Sequence, residues 1–529
     1  MYDILIKNGV IIDGTGKKNF KADIAIKKDK IKKIGYLGKG KSKIVIDAND
    51  QYITPGFIDI HNHSDSYWTL FSIPSLESML RQGVTTVIGG NCGSSLAPLV
   101  RENIIVSIQK WADINEINVN WLSMAEFLDV LEKRKLGANF GTLVGHATLR
   151  RGIVGEEFRK LKPKELKVME RMLEDALKDG AFGLSTGLAY SHAKVATTEE
   201  IIKLAKIVEK ENGIYTSHIR GEAEELIPAI EEVLSIANKS NVSTEISHLK
   251  AMGRKNWPNF PKVIELIEKA KKQGLNINFD VYPYTTTGSV LYILLPDWVA
   301  EGGKRKMIER LKDKDIKMKI IKEMQEAKHY EYDKVIIAIS PVDRTFVGKK
   351  ITEIAQTQGI SAEEAIIDIL IASNGRVITF FDTLSEENVK LVLKHPLAFI
   401  GSDGSGYDVD YYRRKGDLIH PRCFGAFPRF LGKYVRENKL MDWEEAIHKM
   451  TGGPAGKIGL KKRGIIKKGN FADIAIFNPK TITDRATFDN PFQYPEGINY
   501  VIVNGRIVID KGKYTGEMAG RVLRKSSNF

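Results

Sequence analysis

"PGFIDIHNHSD", Pro55 to Asp65, is an apolar run that ends in His61 and His63. These are two of only ten histidines in a chain of 529 residues. Side chains at i and i+2 of a strand lie on the same face. A strand from Phe57 to His63 therefore projects both imidazoles together, just where the strand runs out. An HxH pair alone is usually a packing coincidence. It becomes a metal site only if other segments bring ligands to the same place.

Seven further strand-like segments follow: "TTVIGGNC", "FGTLVGH", "AFGLST", "IYTSHI", "TEISHL", "INFDVYP" and "LAFIGSD". Amphipathic helical runs such as "EEIIKLAKIVEKEN" and "FPKVIELIEKAKKQG" separate several of them. Strands alternating with helices predict a parallel α/β fold, and eight such units predict a closed (β/α)8 TIM-type barrel over residues 55–460. More than a hundred residues separate the last two strands, far more than one crossover helix needs. The excess predicts an inserted subdomain at about 286–350, in which the place of "VIIAIS" stays open.

The ends of the chain have a different texture. "DILIKNGVIIDG", "ADIAIKKDKIKKIG" and "KIVIDAND" near the start are matched by "ADIAIFNP" and "INYVIVNGRIVIDKGK" near the end. Asn-Gly turns followed by β-branched runs mark short strands. Residues 1–54 and 461–529 are expected to build one small β-sandwich domain, with the barrel inserted into it.

Bulk composition narrows the function. A hydrophobic content of 43% supports a large core. No stretch of about 18 apolar residues offers a membrane span, so no membrane partner is expected. The start "MYDILIKNGV" lacks the pattern of a secretory signal, and two cysteines give no disulfide framework, so a cytoplasmic location is expected. The net charge of +14 comes mostly from lysines mixed with acids in runs such as "KPKELKVMERMLEDALKDG". Such runs are solvated helix faces, and no nucleic-acid motif accompanies them.

At the strand ends stand His61 and His63, Cys92, His146, His218, His248 and Asp403. In a barrel of this type those ends converge on the active-site face. A lone histidine after a strand means little, whereas this many metal-competent side chains at such positions point to a metal site. Cys92 lies in "VIGGNCGSS", where glycines allow close backbone approach. Cys, His and His with an open fourth position is a catalytic zinc arrangement. Asp403 in "FIGSDGS" is open to three roles: ligand, base or turn cap.

"PGFIDIHNHSD", "GVTTVIGGNCGSSLAP", "TSHIRGE", "ISHLKAMG", "FDVYPYTTTGS", "GSDGS" and "HPRCFGAFPRFLG" together resemble the N-acyl-D-amino-acid deacylases (D-aminoacylases) of the amidohydrolase superfamily. The resemblance runs over essentially the whole chain. It implies hydrolysis of N-acyl-D-amino acids to a carboxylate and a free D-amino acid, with Zn2+ as cofactor. Cys92, His218 and His248 would be the tight zinc ligands. His61, His63 and Asp403 would form a second, weaker site that Cys92 could bridge, with Asp403 also the catalytic proton shuttle. Lys250 and Arg422 match the groups that hold the substrate carboxylate, helped by Tyr282 or Tyr284. Two features depart from the family pattern: Ser64-Asp65 after HxH, and Cys423 after Arg422. The small-molecule substrate is the expected partner, and a homo-oligomer is compatible with this reading.

Two rival activities are a D-amino-acid peptidase or dipeptidase, which shares the chemistry, and a cyclic-amide hydrolase of the dihydroorotase or dihydropyrimidinase type. The latter enzymes bridge two metals with a modified lysine from the fourth strand, and "GAFGLSTGL" has none. Arg220 and Glu222 in "HIRGE" are expected to orient the neighbouring ligand. His146 and His192 are candidates for the pocket lining.

Overall fold

The computed structural model describes residues 1–529 apart from 39, 101–118, 156, 328–330, 411–415, 526–529 and the side chains of 191 and 192. All eight strand-like segments contain strands. They are β1 (Phe57–Asp59), β2 (Val84–Gly89), β3 (Asn139–Thr142, resuming at Val144–Gly145), β4 (Gly183–Gly187), β5 (Ile214–His218), β6 (Ser243–Ile246), β7 (Ile277–Val281) and β8 (Ala398–Ile400). Every pairing among them is parallel. The first part of β3 closes a three-stranded sheet with β2 and β1, and its second part opens a six-stranded sheet running on through β8. Beyond the strands, Asn62 bridges Gly404 in parallel, the His63 N–H donates to Gly404 O and the Asp403 N–H donates to His61 O.

Helices cover these sheets for the reason their spacing predicts. Thr198–Lys210 buries Ile201, Leu204, Ala205 and Val208 along one stripe, and the Thr197 hydroxyl caps its start by accepting from the Glu200 N–H. Phe260–Lys272 does the same with Val263, Ile264, Ile267 and Ala270. No helix among the described residues is long and apolar enough to cross a membrane.

Strands from both chain ends share one seven-stranded sheet. Ile474–Phe477 pairs antiparallel with Tyr52–Pro55, which itself pairs with Val10–Ile11. A four-stranded sheet of N-terminal strands adds Ile4, Ile6 and Ile24 to a core completed by Ile53, Ile474, Ile476 and Ile502. Between β7 and β8 the strands Thr286–Val290, Val335–Ile339 and Ile378–Asp382 form an antiparallel sheet with a core of its own, including Leu291, Ile337, Ile366 and Phe381. "VIIAIS" supplies one edge strand of this sheet. The insertion expected at about 286–350 falls inside the unit, whose last strand ends at Asp382.

Candidate active site

The C-terminal ends of the parallel strands bring the expected residues together. One ligand atom each from His61, Cys92, His248 and Asp403 lies within 4.8 Å of the others, and His218, Glu222 and His248 form a second such group. His248 belongs to both. The Cys92 Sγ is 3.4 Å from the Nε2 atoms of His61 and His248, and His218 Nδ1 is 2.8 Å from His248 Nε2. Asp403 Oδ1 lies 3.1 Å from His63 Nε2 and 3.4 Å from His61 Nε2. His63 lies beside the first group, against Asp403 and with its ring 5.2 Å from that of His61, and His218 enters the second group.

The backbone bends sharply to achieve this. Cys92, His248 and Asp403 adopt positive φ angles of 52°, 36° and 48°, a region that non-glycine residues seldom occupy outside turns. Each turns its side chain back over the strand ends instead of continuing the strand. Gly90 and Gly93 make the turn at Cys92 feasible. A Cβ on Gly90 would lie 2.1 Å from Leu143 O, and one on Gly93 would lie 2.7 Å from Gly187 N.

Charges in the cluster are strongly coupled. Burial pushes the Cys92 thiol up, but His61 and His248 outweigh it and hold the group well below an ordinary thiol. Burial likewise opposes protonation of His61 and His248, yet Asp280 and Cys92 raise the first well above its usual value, and Cys92 and Glu222 raise the second to about 9. Asp403 is buried, but Arg422 and His63 hold its carboxyl well below the usual range. The result is a thiolate and carboxylates balanced by protons on histidines. A divalent cation replaces such protons with a single compact charge, so this donor set fits a metal ion.

Sequence reasoning missed Asp280. Its Oδ2 lies 3.0 Å from His61 Nδ1, and its Oδ1 accepts from the His248 N–H at 2.9 Å, so one carboxylate orients two residues of the cluster. The signal was an acid inside the short buried strand "INFDV". Asp65, one of the departures noted above, accepts the Gly90 N–H and so braces the turn that presents Cys92. Glu222 takes the supporting position expected of it, 3.1 Å from His248 Nδ1 and paired with Lys250. Arg220 does not. It pairs with Glu232 at 2.8 Å and donates to the Lys194 and Ala196 carbonyls. His146 is buried against Glu200 and Arg150, away from the pocket, and the side chain of His192 lies outside the described residues. His420, which had no context in the sequence, accepts the Arg422 N–H and fixes the "HPR" loop.

The cavity over the cluster is lined by Cys92, His218, His248, Asp403, Lys250 and Arg422, among others. Arg422 Nη1 is 2.7 Å from Asp403 Oδ2 but out of hydrogen-bond alignment, so Nη1 and Nε are buried without an acceptor among the described residues. The two tyrosines separate clearly. The Arg422 guanidinium lies over the Tyr282 ring at 4.8 Å, whereas Tyr284 sits under Arg429 at 4.7 Å. The Tyr282 hydroxyl is buried with no hydrogen bond among the described residues.

Comparison with known proteins gives the family. Residues 44–509 match the model of the Amidohydrolase family. D-aminoacylase from Alcaligenes xylosoxydans xylosoxydans is 32% identical over 99% of this chain and 98% of its own. N-acyl-D-glutamate deacylase from the same organism is 32% identical over 100% and 97%. The solved structure of N-acyl-D-glutamate deacylase from Bordetella bronchiseptica, complexed with zinc and a phosphonate mimic of the reaction's tetrahedral intermediate, superposes with a TM-score of 0.83 at 31% identity, covering 99% of both chains. The chain is a hydrolase and belongs to the N-acyl-D-amino-acid deacylase (D-aminoacylase) family of the amidohydrolase superfamily.

Proposed function

We propose that this enzyme uses zinc to hydrolyse the amide bond of N-acyl-D-amino acids, releasing a carboxylate and a free D-amino acid. The observation that carries the reading is Arg422, a buried guanidinium with unsatisfied donors facing the cavity that holds the metal-competent cluster. Leaving such donors without a partner costs about 1–3 kcal/mol each, and a substrate α-carboxylate held by a fork of the guanidinium satisfies one of them. Lys250 adds a second positive charge, and Tyr282 rather than Tyr284 supplies the neighbouring hydroxyl.

In this reading Cys92, His218 and His248 hold the tight zinc, with His61, His63 and Asp403 available for a second, weaker ion. Zinc bound there lowers the pKa of water towards neutrality and polarises a carbonyl. Asp403 accepts the proton of the attacking water on its carboxylate and later delivers it to the leaving nitrogen. Lys250 and Arg422 hold the substrate so that its scissile carbon faces Asp403. Met252, Val290 and Ile293 line another wall of the same cavity and favour a neutral, apolar D-side chain. The cyclic-amide alternative remains disfavoured, since β4 carries no lysine.

The architecture in this reading is an eight-stranded (β/α) barrel. The Asn62–Gly404 bridge, which links β1 to β8, supports joining the two parallel sheets into one ring. Residues 1–54 and 461–529 form the small β-sandwich domain, residues 55–460 the catalytic domain, and the subdomain within it extends from 286 to 382.

Asp403→Asn tests the mechanism. The variant keeps the shape but loses the base, so kcat should fall by roughly two to four orders of magnitude while zinc content is retained. If Asp403 only caps its turn, asparagine caps equally well and kcat stays near the wild-type value.

A further inference from the structure

At the opposite ends of the parallel strands lies a second, larger cavity of about 600 Å³. Phe182, the residue before β4, forms part of its wall, and the rest comes mainly from residues 29–30, 459–463 and 521–525 with Phe471. Its lining is strongly basic, and the cations come from segments far apart in sequence. That distinguishes it from the lysine-rich helix faces, where pairs such as Lys178 with Glu174 cancel locally.

The arginines of this cavity are already paired: Arg463 with Asp473, Arg521 with Asp29 at 2.8 Å, and Arg524 with Asp129 at 2.6 Å. Lys30, Lys462 and Lys525 differ. None has a carboxylate within ion-pair distance among the described residues. The Lys30 ammonium instead sits 2.8 Å from the centroid of the Phe471 ring, which Arg463 and Arg521 also face at 4.0 and 5.5 Å. Three ammonium groups without a carboxylate at ion-pair distance among the described residues therefore line one open cavity, whose wall also carries Asp29 and Glu132. Burial, together with Lys462, Arg463 and Arg521, pushes Lys30 below the ordinary amine range despite Asp29, and burial does the same to Lys525. Asp29 and Glu211 offset this repulsion only in part, since both lysines stay below their ordinary values.

We propose that this cavity is a binding site for a small oligophosphate, separate from the catalytic centre. A monoanion would leave most of the excess charge unmatched. A short chain of phosphates presents several charges within the span of the cavity to the three ammonium groups. The cavity is walled on several sides, which favours a small ligand over a nucleic-acid duplex.

Isothermal titration of the purified full chain at physiological ionic strength tests this, with tripolyphosphate as the probe and inorganic phosphate and ATP as further arms. Tripolyphosphate should bind saturably at one site per chain, and at least tenfold more tightly than inorganic phosphate. ATP binding equal to tripolyphosphate supports recognition of the phosphate chain itself, and tighter ATP binding supports a nucleotide as its source. Lys30→Gln, Lys462→Gln and Lys525→Gln combined should weaken binding at least tenfold. Lys203→Gln, Lys206→Gln and Lys210→Gln combined, which remove the same charge from an outer helix, should leave it within twofold. If the first triple variant does not fold, Lys462→Gln alone, at an exposed position, should weaken binding at least threefold. No saturable binding to the wild type, or equal weakening in both triple variants, overturns the proposal.

Discussion

At Cys92 a buried thiol sits within 3.4 Å of two imidazole nitrogens on a backbone turn that two glycines make feasible. Removing it should empty the tight zinc position, because thiolate is the strongest of the three proposed donors there. Elemental analysis of Cys92→Ala should show most of the wild-type zinc lost; undiminished zinc would reduce Cys92 to packing. Arg422 makes a different prediction, since it touches no proposed tight-site ligand. Arg422→Ala should raise KM at least tenfold for substrates with a free carboxylate, with much smaller losses when that carboxylate is amidated. Equal losses on both substrate types would contradict the carboxylate contact. The clustering of these residues was legible because histidine, cysteine and aspartate recurred where apolar runs stop. Their positive φ angles were not, because nothing in "GNCG", "SHLK" or "SDGS" distinguishes a left-handed cysteine, histidine or aspartate from an ordinary one. Asp280 was equally hidden. A strand carries side chains to both faces, and sequence alone did not say which neighbours an inward carboxylate would meet.

Among the elements, Trp443–Met450 buries a lysine that the amphipathic pattern would place in solvent. Lys449 is 2% exposed, and its ammonium donates to His395 O and lies 3.4 Å from Glu445. Burial lowers its pKa from 10.5 to about 8, against the pull of Glu445. Below pH 8 the group is charged whether the chain is folded or unfolded, so the fold bears the full cost of burying an ammonium. Between pH 8 and 10.5 the folded state releases its proton first and that cost disappears, a gain of roughly 3 kcal/mol. Urea titrations at the two ends of this window should show the wild type gaining stability relative to Lys449→Met, which carries no proton. Parallel pH profiles would contradict the assignment. Element existence was read well from periodicity, as the eight parallel strands show. The extent of the unit between β7 and β8 was not, since its third strand, Ile378–Asp382, pairs with segments about 40 and 90 residues earlier, at separations that local patterns do not encode.

On the scale of the molecule, the two ends of the parallel strands carry opposite chemistry. The C-terminal ends gather a thiol, carboxylates and imidazoles around the cavity proposed to bind substrate, and the far ends gather a cluster rich in lysine and arginine. The net charge of +14 did not foretell this separation, because it counts cations without saying which segments bring them together. The pairing of the two chain ends was legible from their matching textures, and Ile474–Phe477 does pair with Tyr52–Pro55. The account stands or falls on zinc-dependent, stereoselective amide hydrolysis. The decisive measurement is the rate of free amino-acid release from N-acetyl-D-methionine and N-acetyl-L-methionine by the full chain, before chelation, after it, and after zinc is restored. The account predicts rapid release from the D-enantiomer alone, lost on chelation and recovered with zinc. Equal rates on the two enantiomers, or a D-specific rate indifferent to zinc, would contradict it.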